Sequence, residues 1–123
     1  MGILYNRFTP ESSPTSWILI KKFTEVGSFI PIGDLTGKTE LLVVCNDIVS
    51  LLFCIHERGT SSPTSEDRQG EKKYNTISGT GYRFDVFLRQ HDQNPSLYVS
   101  GVEYTSSSSG QSLSSVNTKV FVR

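Results

Sequence analysis

Residues 82–89 read Tyr-Arg-Phe-Asp-Val-Phe-Leu-Arg, and their alternation decides the fold class. One set of alternate positions is apolar throughout and consists of Tyr82, Phe84, Val86 and Leu88. The other set holds two arginines and an aspartate beside Phe87. A period of two residues sustained over such a stretch is typical of a β-strand with one buried face. The stretch therefore predicts a strand whose polar side faces solvent.

Similar short apolar segments recur along the chain, separated by turn residues, at 17–23, 28–32, 40–45, 48–56, 74–77, 97–99, 102–104 and 116–122. The chain contains no alanine, and its apolar set is rich in β-branched and aromatic residues, which favour strands over helices. We predict an all-β fold, an antiparallel, jelly-roll-like β-sandwich of about eight short strands, over residues 17–123. Residues 1–16, which include two prolines, are predicted to form an extended N-terminal arm.

The segments 40–45 and 48–56 predict a hairpin that turns at Asn46-Asp47. Its core residues are expected to include Leu42, Val44, Leu52 and Cys54. In this register Cys45 and Cys54 lie roughly 20 Å apart, which is too far for a disulfide bond. Two buried free thiols are therefore expected, and they suit a reducing compartment.

Other segments are predicted to be turns, loops or edges. Residues 58–73 are polar and charged and predict an exposed loop. Ser100-Gly101 is predicted to be the turn of a hairpin, and the serine-rich stretch 105–115 is predicted to be flexible. Pro31 places the segment 28–32 at a sheet edge, because proline cannot donate a ladder hydrogen bond.

Size and charge exclude several classes of function. The chain has 123 residues and a mass of 13.7 kDa, which suits one domain. Its 12 basic residues balance 12 acidic residues, so it lacks the basic excess of a nucleic-acid-binding domain. It has no signal-peptide pattern, and its longest apolar stretch, 41–55, is too short and too polar to span a bilayer. We expect no nucleic-acid partner and no membrane insertion.

The residue types that catalysis needs form no recognisable motif. His56 and His91 stand outside any HExxH pattern, and no G-x-S-x-G sequence marks a nucleophilic serine. Ser78-Gly79-Thr80-Gly81 resembles part of a phosphate loop, but it lacks the lysine and the following helix, so a turn between strands is the better interpretation. We predict that the protein is not an enzyme and needs no metal or cofactor.

Binding fits the composition better than catalysis does. A sugar site is predicted where a turn offers planar amides, a carboxylate and an aromatic ring, at Asp92, Gln93, Asn94 and Tyr98. The alternative is that residues 92–95 form an ordinary turn, for which their residue types are equally well suited. Contacts with other subunits are predicted at apolar residues of the arm and of one strand face, namely Ile3, Leu4, Tyr5, Phe8 and Phe87. The alternatives there are an arm folded onto its own domain and a solvated face.

The order of the segments resembles a known family. The segments that show it are W-I-L-I-K-K-F (17–23), T-E-L-L-V-V (39–44), Y-R-F-D-V-F-L (82–88), L-Y-V-S-G-V-E-Y-T-S-S-S (97–108) and V-N-T-K-V-F-V-R (116–123). They resemble the small C-terminal β-domains of bacteriophage virion proteins such as tail fibres, baseplate proteins and receptor-binding proteins. The resemblance covers residues 17–123 and includes no catalytic motif. It implies a β-sandwich, often trimeric, that attaches a virion appendage to bacterial surface polysaccharide or another host receptor.

From these patterns and this resemblance we expect a non-enzymatic virion structural protein of the tail-fibre or receptor-binding type. It would be made in the host cytoplasm and located in the virion. Its expected partners are other virion proteins, further copies of itself in a trimer, and host surface polysaccharide. One alternative is a capsid decoration or cement protein anchored through residues 1–16, and another is a small carbohydrate-active enzyme.

Overall fold

The computed structural model describes residues 16–55, 68–90, 94–105 and 109–123. Within these ranges the chain forms nine strands and no helix. The strands are β1 (Ile18–Phe23), β2 (Phe29–Pro31), β3 (Glu40–Cys45), β4 (Val49–Cys54), β5 (Arg68–Ile77), β6 (Thr80–Arg89), β7 (Ser96–Tyr104), β8 (Gln111–Ser112) and β9 (Thr118–Val122). No helix that could cross a membrane is found in this part of the chain.

The strands form two antiparallel sheets that pack face to face, so the predicted all-β sandwich is confirmed. One sheet has four strands in the order β1-β9-β3-β4. The other has five strands, with the order β2-β7-β6-β5 and β8 paired to β7. The chain crosses between the sheets at β1–β2, β2–β3, β4–β5 and β8–β9, whereas β5, β6, β7 and β8 follow one another within one sheet. β2 is an edge strand and contains Pro31, as predicted.

Alternate residues of the inner strands fill the space between the sheets. On β6, Phe84, Val86 and Leu88 are completely buried, which confirms the predicted inward face of that strand. On β9, the inward residues are Thr118, Val120 and Val122, again at alternate positions. Burying one such side chain is worth about 1.5–3 kcal/mol, so this layer supplies most of the folding energy.

The β3–β4 hairpin has the predicted turn. Asn46 and Asp47 have φ angles of 53° and 55°, and the Ile48 amide donates a hydrogen bond to the Cys45 carbonyl at 2.9 Å. Positive φ at both central residues is typical of hairpin turns that match the strand twist. Asparagine and aspartate tolerate this conformation better than other non-glycine residues, so the sequence favours the turn at this point.

The predicted burial of the β3–β4 hairpin is wrong by one residue. Its buried residues are Leu41, Val43, Cys45, Val49, Leu51 and Phe53. The residues predicted to be in the core, Leu42, Val44, Leu52 and Cys54, lie on the opposite, outer face. Both faces of these strands are largely apolar, so alternation cannot tell which one is buried, and a shift of one residue exchanges the two faces.

The two cysteines differ in their surroundings. Cys45 is buried beside Val49, whereas Cys54 lies at the other end of the hairpin, opposite Glu40. Both are free, as predicted, but the predicted burial of Cys54 is wrong because its side chain is exposed. Burial raises the pKa of the Cys45 thiol to about 12, so this thiol stays protonated and unreactive near neutral pH.

Three other sequence predictions meet a clear outcome. Ser78 and Gly79 have φ angles of 51° and 83° and form the tight turn between β5 and β6, so this motif is a turn and not a phosphate loop. Residues 68–73, predicted as loop, belong to β5. The predicted hairpin at Ser100-Gly101 is wrong, because both residues lie inside the continuous strand β7.

Gly101 is needed for packing and not for a turn. A Cβ atom at this position would lie 2.9 Å from Leu113 Cδ1 and 3.1 Å from Phe84 Cδ1. The missing side chain therefore lets Phe84 and Leu113 pack closely against β7. A glycine within a strand is a weak signal for a turn when a neighbouring ring needs its space.

Side-chain hydrogen bonds join β5 to the other sheet. Gln69 Nε2 donates to the Cys54 carbonyl at 2.6 Å, and Asn75 Nδ2 donates to the Ile48 carbonyl at 3.1 Å. Both acceptors belong to β4 or its turn, so β5 is held at the open edge of the sandwich. These contacts fix the position of the strand that forms one side of the candidate site.

Candidate functional site

A row of aromatic residues crosses the outer face of the five-stranded sheet. Phe29 on β2 pairs with Tyr98 on β7, and Tyr98 pairs with Phe87 on β6. Phe87 in turn pairs with Gly70 on β5. We call Phe29, Tyr98 and Phe87 the aromatic row. It lies on the outer face because the alternate residues of β6 and β7 fill the core.

The rings of the aromatic row contact one another at an angle. The centroids of Phe29 and Tyr98 are 5.6 Å apart with 48° between the ring planes. Those of Phe87 and Tyr98 are 5.7 Å apart with 62° between the planes. Such tilted pairs are the preferred geometry of aromatic rings and stabilise each other by about 0.5–1.5 kcal/mol. The rings therefore support one another and need no ligand to order them.

Phe87 is the most exposed ring of the aromatic row, and a glycine determines where it lies. Its side chain is 39 % exposed. A Cβ atom at Gly70 would come within 2.6 Å of Phe87 Cδ1 and Cε1, so the ring lies directly over the backbone of β5. Any side chain at position 70 would displace the ring. Gly70 thus gives Phe87 a flat support on the sheet.

Arg89 adds a cation to the aromatic row. Its guanidinium carbon lies 3.8 Å from the centroid of the Phe29 ring, which is a cation–π contact. The contact restricts a long side chain that would otherwise sample many rotamers. Its planar group of N–H donors is thus held beside the rings, where it can recognise hydroxyl or carboxylate oxygens.

A second set of side chains lies next to the aromatic row on the same face and is polar. Asp85 on β6 is flanked by Ser100 on β7 and by Lys72 on β5. Arg83 Nε lies 3.3 Å from Asp85 Oδ1, forming an ion pair along the strand. Arg83 also donates from Nη1 to the Tyr104 hydroxyl at 3.2 Å. These contacts hold the polar groups in fixed positions.

A further exposed ring borders the polar set on its other side. Tyr74 on β5 is 63 % exposed and pairs across the strands with Arg83. It lies four residues along β5 from Gly70, which supports Phe87, so the two rings are about 13 Å apart along the sheet. The face therefore has two exposed aromatic rings with charged and polar groups between them. This arrangement suits an elongated ligand.

Cations outnumber anions on this face. Lys72, Arg83 and Arg89 lie on it with one carboxylate, that of Asp85, among the side chains that the structure describes. The chain as a whole is neutral, with 12 basic and 12 acidic residues. The local excess is therefore a property of this face and not of the composition, and it favours a ligand with negative charge.

The structure brings two of the predicted contact residues together. Tyr98, predicted for sugar binding, and Phe87, predicted for subunit contacts, are neighbours in the aromatic row. Asn94 is exposed and precedes β7. Asp92 and Gln93 of the predicted sugar site lie outside the described residues, as do Ile3, Leu4, Tyr5 and Phe8 of the arm. Their roles stay predictions.

Of the residues that form this site, sequence analysis named only Tyr98 and Phe87 as contact residues. Phe29 and Gly70 come from strands distant in sequence, and only the pairing of β2 with β7 and of β5 with β6 places them beside Tyr98 and Phe87. A glycine within a strand is a signal of close approach by another group. Gly70 gave no such signal, because the sequence predicts a loop at this position and not a strand.

Two clefts among the described residues offer less chemistry. A cleft of about 310 Å³ is lined by Lys21, Lys22, Phe23, Thr24, Glu25, Ile30 and Asn117. Another, of about 430 Å³, is lined by Ser16, Ile18, Gly37, Lys38, Thr39, Glu40 and Arg123. No cluster of three or more metal-ligating side chains is found in the part of the chain that the structure describes, and both histidines lie outside it.

Comparison with protein-family models, with curated proteins and with solved structures finds no match. The aromatic row and the side chains beside it are therefore the features of the structure from which a binding function can be inferred.

Proposed function

We propose that the outer face of the five-stranded sheet binds glycan without chemically changing it. The observation that supports this most is the pair of exposed rings, Phe87 and Tyr74, with Asp85 and Lys72 between them. An aromatic ring stacks on the apolar face of a sugar, and fixed polar groups bind its hydroxyls. Two rings separated along a strand suit several linked sugar units better than a single sugar.

The site is built to bind without rearranging. Its residues lie on four neighbouring hydrogen-bonded strands, β2, β7, β6 and β5. The rings of Phe87 and Tyr98 already contact each other, and Arg83 already bonds Tyr104. Side chains that are ordered before binding lose little entropy when the ligand arrives. A flat and rigid face of this kind suits a long polymer that lies along the sheet.

The charge of the face points to an acidic glycan. Among the described side chains of this face, three are cationic, namely Lys72, Arg83 and Arg89, and one, that of Asp85, is a carboxylate. Arginine binds planar carboxylate groups with paired hydrogen bonds, and uronic acids are sugars with such groups. Binding driven in part by these charges weakens when salt shortens the Debye length from about 30 Å to about 3 Å. A neutral glycan would show little of this dependence.

The proposed biological setting is host attachment by a bacteriophage particle, and it rests on the resemblance of residues 17–123. A single site of this size binds weakly, so copies in a homo-oligomer would add their affinities on a repetitive polysaccharide. Mass spectrometry of purified particles tests the setting. We expect the chain among the virion proteins, and its consistent absence from infectious particles would overturn this part of the proposal.

A second candidate, a capsid decoration or cement protein, differs in what residues 1–16 do. If that segment anchors the protein to a capsid, its deletion removes the protein from particles and leaves host adsorption unchanged. If the aromatic row is the host-binding surface, Phe87→Ala lowers adsorption and leaves the amount of protein on the particle unchanged. The two variants therefore separate the two functions.

Replacing Phe87 or Tyr74 by alanine is expected to weaken glycan binding about tenfold for each ring. The measurement is titration calorimetry with acidic bacterial polysaccharides chosen from a glycan array. Ile77→Ala is the matched control, because Ile77 is also an exposed apolar residue of β5 but pairs with Thr80 at the turn. Unchanged affinity in both ring variants, or equal loss in the control, would contradict the proposal.

A further inference from the structure

The outer face of the four-stranded sheet has an apolar row of its own. Leu19 on β1 pairs with Phe121 on β9, and Phe121 pairs with Leu42 on β3. Leu42 in turn pairs with Leu52 on β4. We call these four residues the apolar row. It crosses all four strands of the sheet without a polar side chain, on the side of the sandwich opposite the aromatic row.

The apolar row is open to solvent in the single chain. Leu52 is 51 % exposed and Leu19 is 45 % exposed, while Leu42 and Phe121 between them are half-buried. Val44 extends the same face by one step along β3. Single exposed apolar residues are ordinary, but a continuous stripe across a sheet marks an interaction surface.

Charged side chains border the apolar row on both of its sides. On one side, Arg123 Nε and Glu40 Oε1 are 2.7 Å apart, and the Arg123 guanidinium also covers the Trp17 ring at 4.2 Å. On the other side lie Lys22 and Lys119, which are cross-strand neighbours. One border thus has both signs of charge side by side, and the other has two lysines, of which Lys119 lies 3.3 Å from the Asp47 carboxylate.

We propose that a second copy of the chain packs on this face, sheet against sheet, about a two-fold axis roughly parallel to the strands. Such an axis places β1 of one copy over β4 of the other and β9 over β3. Leu19 then meets Leu52, and Phe121 meets Leu42, so the apolar row covers its own counterpart. Sheets that pack in this way keep their strands within about 30° of each other.

The charges select this axis. A two-fold axis parallel to the strands places Glu40 of each copy opposite Arg123 of the other, on both halves of the interface. A two-fold axis across the strands would instead bring Lys119 of each copy opposite Arg123 of the other, which adds no pair of opposite charges between the copies, because the partners of these cations, Asp47 and Glu40, belong to their own chains. Complementary charges of this kind determine orientation more than they add affinity. The face is therefore self-complementary in one arrangement and not in the other.

The size of the face sets the expected strength. Four strands about 4.8 Å apart, with three outward residues along each, give a footprint of roughly 20 Å by 20 Å. This is smaller than the ~800 Å² per partner of a standard interface. We therefore expect a weak pair that forms only as the concentration of the chain rises. The inference does not depend on glycan binding, because it concerns the opposite side of the sandwich.

Sedimentation velocity of the full chain over a range of concentrations tests the pairing. The expected species is twice 13.7 kDa, forming as concentration rises. Leu52→Lys is expected to raise the dissociation constant at least about tenfold, because it places an uncompensated charge in an apolar contact. Ile77→Lys is the matched control, since Ile77 is similarly exposed but lies at the β5–β6 turn, and it should leave the pairing unchanged.

A mixing experiment tests the axis itself. Glu40→Arg alone and Arg123→Glu alone each place like charges together and should stay monomeric. When the two variants are mixed, the residue at position 40 of each chain faces a residue of opposite charge at position 123 of the other variant. Heterodimers should therefore form. The bond between Glu40 and Arg123 within each chain stays broken in both variants, so an effect on folding alone would not restore association.

Several outcomes would overturn the inference. These are a monomer at every concentration, a species of three times the chain mass, equal loss in the Ile77→Lys control, or no heterodimer in the mixture. A chain that is monomeric when complete but pairs after deletion of residues 1–15 would also overturn it, because the chain's own N-terminal segment would then be the occupant. Binding of another protein in place of a second copy would do the same.

Discussion

Replacing Phe84 by alanine is expected to lower the free energy of unfolding by about 3–5 kcal/mol. The Phe84 ring is completely buried, stacks near Tyr82 with centroids 6.3 Å apart, and fills the space that Gly101 leaves open on β7. Truncation removes its contacts from both neighbours and leaves a cavity at the centre of the sandwich. Rigid strands on both sides cannot collapse into that cavity, so the loss should lie near the upper end of this range.

Urea denaturation followed by fluorescence or circular dichroism measures this loss. Phe87→Ala is the matched control, because Phe87 lies on the same strand but on the outer face. Its truncation loses one tilted aromatic contact and should cost no more than about 1.5 kcal/mol. Similar losses for the two variants would show that the assigned inner and outer faces of β6 are wrong.

Replacing Asn46 by valine is expected to lower the free energy of unfolding by about 2–3 kcal/mol. Asn46 has a φ of 53°, which a β-branched residue adopts at a cost of about 1–2 kcal/mol. Its side-chain Oδ1 also accepts a hydrogen bond of 2.7 Å from the Asn117 amide, and its own amide donates to the Asn117 carbonyl at 2.8 Å. Losing the side-chain acceptor adds about 1 kcal/mol, because the Asn117 amide loses its partner.

The neighbouring residue provides the control for Asn46. Asp47 has a φ of 55°, and its carboxylate lies 3.3 Å from Lys119 Nζ at the surface. Asp47→Gly removes that ion pair, which is worth at most about 1 kcal/mol, but glycine adopts this φ without strain. We expect a change within about 1 kcal/mol by thermal or urea unfolding. An Asn46→Val variant as stable as the native chain would contradict the role of this turn.

The sequence predicts those parts of the fold in which local chemistry is unambiguous. On β6, polar residues alternate with apolar ones, so the buried face is evident from the sequence and is confirmed. Asn46-Asp47 offers two residues that tolerate positive φ, so the turn position follows from the chemistry of these side chains. In both cases neighbouring residues alone determine the structure, and no distant contact has to be known.

Features that depend on distant strands are not predictable in this way. β3 and β4 are apolar on both faces, and only the position of the second sheet decides that Leu41 and Leu51 are buried while Leu52 is exposed. The same holds for Cys54, which lies two residues after Leu52 on β4 and therefore on the same outer face. The aromatic row requires the register between β2, β7 and β6, which brings Phe29 next to Tyr98. The spacing of residues along the chain does not reveal that register.

The two outer faces of the sandwich divide the proposed roles. The aromatic row lies on the five-stranded sheet and the apolar row on the four-stranded sheet, so self-association through the second leaves the first open. Each pair would then present two glycan-binding faces that point away from each other. Bivalent binding of a repetitive polymer gains strength from such linkage without any new contact at either site.

Amide NMR spectra recorded while an acidic bacterial polysaccharide is added test the central claim most directly. We expect the shifted resonances to cluster on β5, β6 and β7, around Gly70, Tyr74, Phe87 and Tyr98, and to leave the four-stranded sheet unchanged. The shifts should shrink at high salt, because cations on this face contribute to binding. Shifts confined to the four-stranded sheet would contradict the assignment of the glycan-binding surface. The absence of shifts with every glycan that the protein binds would contradict it as well.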